Sequence, residues 1–130
     1  MRTHARSYFT AALYLWSLMA VASDSEFRAN EMAAQANVNT EAGAAYDYAL
    51  GTAMQANPKF ESGMTACLAK HPGEQSVHGY FHFTSATQYQ VVLEPGSAFS
   101  ACLANALEGF TVPEPPSVPY FNSFAFSTAP

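Results

Sequence analysis

FESGMTACLAKHPGEQSVHGYFHFTSATQYQVVLEPGSAFSACLANALEGFTVPEPP, residues 60–116, contains the two cysteines of the chain, Cys67 and Cys102, each inside an apolar segment of helical spacing. Phe60, Met64, Cys67, Leu68 and His71 recur at steps of four, three, one and three, which puts them on one stripe of a helix from Pro58 to about Lys70. Asn57 caps that helix, Pro58 fits its first turn, and Pro72-Gly73 stops it. Val77 to Thr84 then alternates, with Val77, Gly79, Phe81 and Phe83 on one side and His78, Tyr80, His82 and Thr84 on the other. Period two over eight residues predicts a half-buried strand. After a short polar turn, Ser85-Ala86-Thr87, Tyr89, Val91 and Leu93 alternate with Gln88, Gln90 and Val92, which completes a hairpin. Ser97 caps a second disulfide-bearing helix whose stripe is Phe99, Cys102, Leu103 and Ala106, and Gly109 ends it.

Outward from this stretch the pattern is simpler. Residues 111–116 are held extended by their prolines. Tyr120 to Ser127 sets Tyr120, Asn122, Phe124 and Phe126 against smaller residues and predicts a third strand. Upstream, Thr40 caps a helix carrying Tyr46, Leu50, Ala53 and Met54 on one face. Residues 23–39 are rich in Ala, Asn, Gln and Glu; they predict at most a loose helix around Glu31 to Ala36, in a flexible segment that buries little.

Of the 130 residues 49% are apolar and only 12% charged, enough apolar material for one modest domain. Arg2 and Arg6 precede an uncharged apolar run from Tyr8 to Ala22 that closes on Ala20-Val21-Ala22. This is the pattern of a signal peptide over residues 1–22, and the run is short for a bilayer span; an uncleaved anchor is the competing reading. Cleavage after Ala22 leaves Arg28, Lys59 and Lys70 against ten carboxylates, a formal charge of −7. Such a chain cannot neutralise a phosphate backbone, so nucleic acid and anionic membrane surfaces are disfavoured as partners. The expected location is periplasmic or secreted, with no stable membrane insertion after cleavage. Two cysteines in an exported chain are most simply one disulfide, Cys67–Cys102, since neither has the basic, exposed setting of a catalytic thiol.

Motifs for catalysis are sparse. His78 and His82 share a strand face but stand roughly 13 Å apart, too far to hold one metal ion. His71 could join one of them only through a tertiary contact. Glu74 and Glu94 follow or precede Pro-Gly turns, where carboxylates are usually solvated, and no serine has a nucleophile-elbow setting. Tyr80, Tyr120 and Phe121 would form an interface strip if exposed, although most aromatic residues of a domain this small belong to its core.

The order helix, strand, strand, helix, Pro-rich connection, strand, with this cysteine pair, resembles the C-terminal domain of TonB-like proteins, and more closely the disulfide-containing AgmX-type variants. The resemblance rests on Met64-Thr65-Ala66-Cys67-Leu68, Gly79-Tyr80-Phe81-His82-Phe83, Val91-Val92-Leu93, Ala101-Cys102-Leu103 with Leu107, and Phe110-Thr111-Val112-Pro113-Glu114-Pro115-Pro116, and covers roughly Phe60 to Phe126. Ser85-Ala86-Thr87 stands where the family usually turns at Asp-Gly. The resemblance implies an α+β fold, a two-layer sandwich of two helices on a three-stranded antiparallel sheet, here with an additional N-terminal helix. The domain then spans residues 40–130, with a core of about 58–127. It also implies a non-enzymatic module that binds a partner by strand addition at a sheet edge; energy transduction, which needs a membrane anchor and a long periplasm-spanning segment, is not carried over.

The expected partner is therefore an envelope protein or peptide, with a homodimer as a further possibility, and no cofactor. The expected binding residues are Tyr120, Phe121, Asn122, Ser123 and Phe124 on the last strand and His78, Tyr80 and His82 on the sheet face. The alternatives are a small envelope hydrolase or metal-binding protein using His78, His82 or Glu74, and a self-associating structural subunit. One expectation is independent of partner: the exported protein takes up no alkylating reagent at cysteine until it is reduced. Closing a loop of this length stabilises the fold by about 4 kcal/mol in the chain-entropy account, so reduction should lower the urea midpoint accordingly. Two alkylatable thiols in the native protein would refute the pairing.

Overall fold

The computed structural model describes residues 23–129. The elements are α1 (Asp24–Val38), α2 (Glu41–Gln55), α3 (Pro58–Lys70), β1 (Ser76–Phe83), β2 (Tyr89–Glu94), α4 (Ala98–Leu107) and β3 (Tyr120–Ser127). The signal peptide expected over 1–22 lies outside the described residues. Each helix starts where a short polar side chain takes up a free backbone N–H. Ser23, Thr40, Asn57 and Ser97 accept from Glu26, Gly43, Lys59 and Ser100 respectively.

The sheet is antiparallel with strand order β2-β1-β3. Thr84 N–H donates to the Gln88 carbonyl, and the Ser85 hydroxyl accepts from the N–H groups of Thr87 and Gln88. A serine side chain thus closes the hairpin without an Asp-Gly pair. Val77, Phe81 and Phe83 of β1 share a face with Tyr120, Phe124 and Phe126 of β3 and with Tyr89, Val91 and Leu93 of β2. Against that face pack Tyr46, Leu50 and Met54 of α2, Met64 and Cys67 of α3, and Phe99, Leu103 and Leu107 of α4. The Cys67–Cys102 disulfide joins α3 to α4, its Cα atoms 5.7 Å apart. These features make an α+β fold whose two disulfide-joined helices lie on a three-stranded antiparallel sheet.

The second face differs from expectation. Residues 24–38 form a continuous helix rather than a flexible segment, and Phe27 and Ala34 are 2% and 0% exposed. With Tyr80, and with Val92 and Phe121 beside them, they form a second cluster on the face of the sheet opposite the disulfide. One large aromatic and one alanine suffice because α1 lies close against the sheet and fills the remaining contact with amides. The α1–α2 corner is tight: Thr40 N–H and Oγ1–H both donate to the Asn37 carbonyl. A Cβ on Gly43 would lie 1.7 Å from that carbonyl oxygen.

Gly79 is the corresponding constraint inside the sheet. A Cβ there would lie 1.9 Å from the Val92 carbonyl oxygen on the neighbouring strand, so β2 approaches β1 more closely than any side chain permits. Gly79→Ala should therefore cost about 2–4 kcal/mol, read as a fall in urea midpoint. Gly51→Ala is the control: nothing lies within 4 Å of a Cβ there, and replacing a mid-helix glycine should gain up to about 1 kcal/mol.

Candidate functional site

Hydrogen-bond parity decides which backbone groups the sheet leaves open. Thr128 N–H bonds the Gln75 carbonyl; with the register Gly79↔Phe124 and Phe81↔Asn122, this assigns β3 residues of even number to the β1 ladder. Phe121, Ser123, Ala125 and Ser127 then point their backbone groups away from β1. On the other side, the Thr84–Gln88 bond and the register Tyr80↔Val92 turn Tyr89, Val91 and Leu93 outward from β2.

Neither edge is bare along its whole length. Asn37 Nδ2 of α1 donates to the Phe121 carbonyl at 2.9 Å, and Asn122 Nδ2 donates to the Ser123 carbonyl at 3.2 Å. Beyond Ser123, the outward backbone groups of Ala125 and Ser127 have no hydrogen-bond partner among the described residues, and both residues are exposed. On β2, Val91 N–H donates to Glu108 Oε1 at 3.2 Å. The edge offered by β3 is thus its C-terminal half, while β2 is stopped by a carboxylate.

The side chains anticipated from sequence as a binding strip separate into three groups. Tyr80, Tyr120 and Asn122 are buried, at 1%, 5% and 1% exposure, and cannot meet a partner directly; the exposed aromatic strip does not exist. Tyr80 lies under α1, its ring 5.4 Å from Phe27 and its hydroxyl accepting from Asn30 Nδ2 at 3.0 Å. Phe121 and His82 are stacked with ring centres 4.5 Å apart, both partly covered. Ser123 and Phe124 are half-buried. His78 is exposed on one side and on the other meets Glu31 Oε1 through Nδ1 at 2.5 Å, with Phe27 edge-on at 5.8 Å.

His78 and His82 therefore serve different neighbours along the same strand, and Glu74 is exposed in the turn before β1. Among the described residues no group of three His, Cys, Asp or Glu could hold a metal ion. None of the described helices is long and apolar enough to cross a membrane. Compared with family models, curated proteins and solved structures, the chain matches none.

The groups that sequence reasoning missed are on α1. Phe27, Asn30, Glu31, Ala34 and Asn37 follow steps of three, one, three and three and contact the sheet through one ring, one methyl and three polar side chains. A search for apolar periodicity passes over such a stripe, because most of its members are polar; the spacing itself was the available signal.

Asn122 has a related arrangement in the main core: Nδ2 donates to Asp47 Oδ1 at 2.8 Å, while its own Oδ1 and the Tyr120 hydroxyl find no partner among the described residues. Burial raises four phenols above their ordinary value. For Tyr46 burial is reinforced by Tyr120 and Tyr89; for Tyr120, by Asp47. Burial also dominates at Tyr80, where the Asn30 hydrogen bond works in the opposite direction and Glu26, Glu94 and Glu31 add to the rise. At Tyr89, burial is opposed by the Phe110 N–H and helped by Glu108.

A phenol harder to ionise in the folded than in the unfolded chain contributes stability that is whole below about pH 10 and is lost as pH rises beyond it. Urea midpoints should accordingly hold between about pH 8 and 9.5 and fall steeply above about pH 10. Tyr46→Phe should flatten that fall, and a fall of unchanged steepness in Tyr46→Phe would argue against its contribution.

Proposed function

We propose that this is a non-enzymatic, exported protein- or peptide-binding module of the bacterial cell envelope, of TonB-like architecture, that takes a partner segment by strand addition at the β3 edge. The observation that carries the proposal is the outward backbone of Ala125 and Ser127, on an exposed half-strand and without a partner among the described residues. An extended segment laid against it gains backbone hydrogen bonds without first displacing any part of the described chain. The disulfide supports an oxidising compartment, and with it the reading of residues 1–22 as a signal peptide and a periplasmic location.

The mode of binding follows from which groups are open. Recognition comes from the main chain, supplemented by Phe124 and Phe126, which are partly buried at the rim of the core. Tyr80, Tyr120 and Asn122 contribute by holding β3 straight against β1.

Ala125→Pro isolates the edge. The Ala125 N–H points away from β1, so proline there removes an outward donor and leaves the β1–β3 ladder intact. With a photo-crosslinking residue placed at Ser127, the native protein should yield discrete adducts with an envelope protein or peptide. Ala125→Pro should lose those adducts while keeping its urea midpoint within about 1 kcal/mol of the parent. Undiminished crosslinking in the variant would exclude strand addition at β3.

A further inference from the structure

The second sheet edge lies at the bottom of a groove. An open cleft of about 810 Å³ runs along β2, walled by Phe27 and Asn30 of α1 on one side and by Ser97, Ala101 and Ala104 of α4 on the other. Its floor is the β2 strand from Gln90 to Glu94. A slot with a strand edge at its base and a helix on each flank has the cross-section of an added strand, and the small residues on α4 leave room for side chains.

Two observations say what kind of strand. The first is charge. Asp24, Glu26, Glu94 and Glu108 line this cleft, and Arg28, Lys59 and Lys70 do not. The carboxylates lie on three separate elements, α1, β2 and the end of α4, so the negative potential surrounds the slot rather than marking one helix end. The second is the bond from Val91 N–H to Glu108 Oε1. Val91 is the central outward-facing residue of β2, and the carboxylate occupies the place that the carbonyl of a paired strand would take. The edge is already engaged by an acceptor that can be exchanged.

We propose that the groove between α1 and α4 takes an extended, lysine- or arginine-bearing peptide as a strand beside β2. The incoming carbonyl replaces Glu108 at Val91 N–H. The released Glu108 carboxylate, with Glu26 and Glu94, then pairs with the peptide's cations. Backbone bonds to Tyr89, Val91 and Leu93 set the register, and the carboxylates select the charge. The site is separate from the β3 edge and has a different ligand chemistry, so either can fail without the other.

The test uses the full chain and a labelled peptide of about eight residues alternating Val and Lys, read by fluorescence anisotropy and by amide hydrogen exchange. The Val–Lys peptide should bind and slow exchange at the Tyr89 and Leu93 amides. Its affinity should fall about tenfold or more when ionic strength rises from about 0.05 to 0.5 M. The Val–Glu counterpart and a Val–Lys peptide N-methylated at alternate residues should not bind.

Glu26→Gln with Glu94→Gln should weaken binding about tenfold with little change in the urea midpoint, whereas Ala125→Pro should leave binding unchanged. Equal affinity for the Val–Glu or N-methylated peptide would overturn the proposal, as would loss of binding in Ala125→Pro. Tyr89 and Leu93 amides already protected in the full chain before peptide is added would also overturn it. That result would mean the chain's own residues 1–22, or a second copy, fill the groove instead.

Discussion

β1 is the constraint on which the rest of the structure depends, because it is paired along both edges and covered on both faces. Val77, Phe81 and Phe83 enter the large core beneath α2, α3 and α4, while Tyr80 enters the small one beneath α1. Its even-numbered residues bond β2 and its odd-numbered residues bond β3. An eight-residue strand so completely engaged leaves no freedom of register, since a one-residue slip would exchange Tyr80, which bonds an α1 amide, with phenylalanines that have no polar group to offer. Gly79 is part of the same constraint: it is the position where β2 comes too near for a side chain.

The two faces are held by different physics. The disulfide side is a conventional apolar core, tied by a bond that links the two helices behind the sheet. The α1 side depends on two amides, Asn30 and Asn37, one aromatic ring and the Glu31–His78 contact. Net hydrogen bonds of this kind contribute about 1 kcal/mol each, less than a buried large side chain. The layer that is cheaper to lift also forms one wall of the acidic groove, whereas the fixed layer carries the other.

How much of this could be seen in the sequence follows from which interactions have a periodic signature. The helix from Pro58 to Lys70 and the last strand, Tyr120 to Ser127, have the bounds that their alternation and caps indicate. The strand from Val77 to Thr84 is displaced by a single residue, and the cysteine pairing follows from compartment chemistry. Residues 24–38 were legible only as a loose helix around Glu31 to Ala36, for the opposite reason: Phe27 and Ala34 are too few to mark an apolar face, and asparagines are not scored as contacts. The candidate binding residues divide in the same way. The outward backbone of β3 follows from its edge position in the order β2-β1-β3, whereas Tyr80, Tyr120 and Asn122, expected among the partner-binding residues, are buried beneath α1 and α2. The carboxylates of the β2 groove are scattered over Asp24, Glu26, Glu94 and Glu108, and only the tertiary arrangement brings them together.

The bond from Asn37 to Phe121 spans 84 residues and joins the first described helix to the last strand. During synthesis α1 is made before the strands it packs on, β1, β2 and β3, so until they follow this helix has nothing to rest on. Its low apolar content suits that wait, since a strongly hydrophobic helix held undocked for so long would seek other partners. The α1 layer is thus closed late, by a contact between elements far apart in sequence, once β3 has paired with β1.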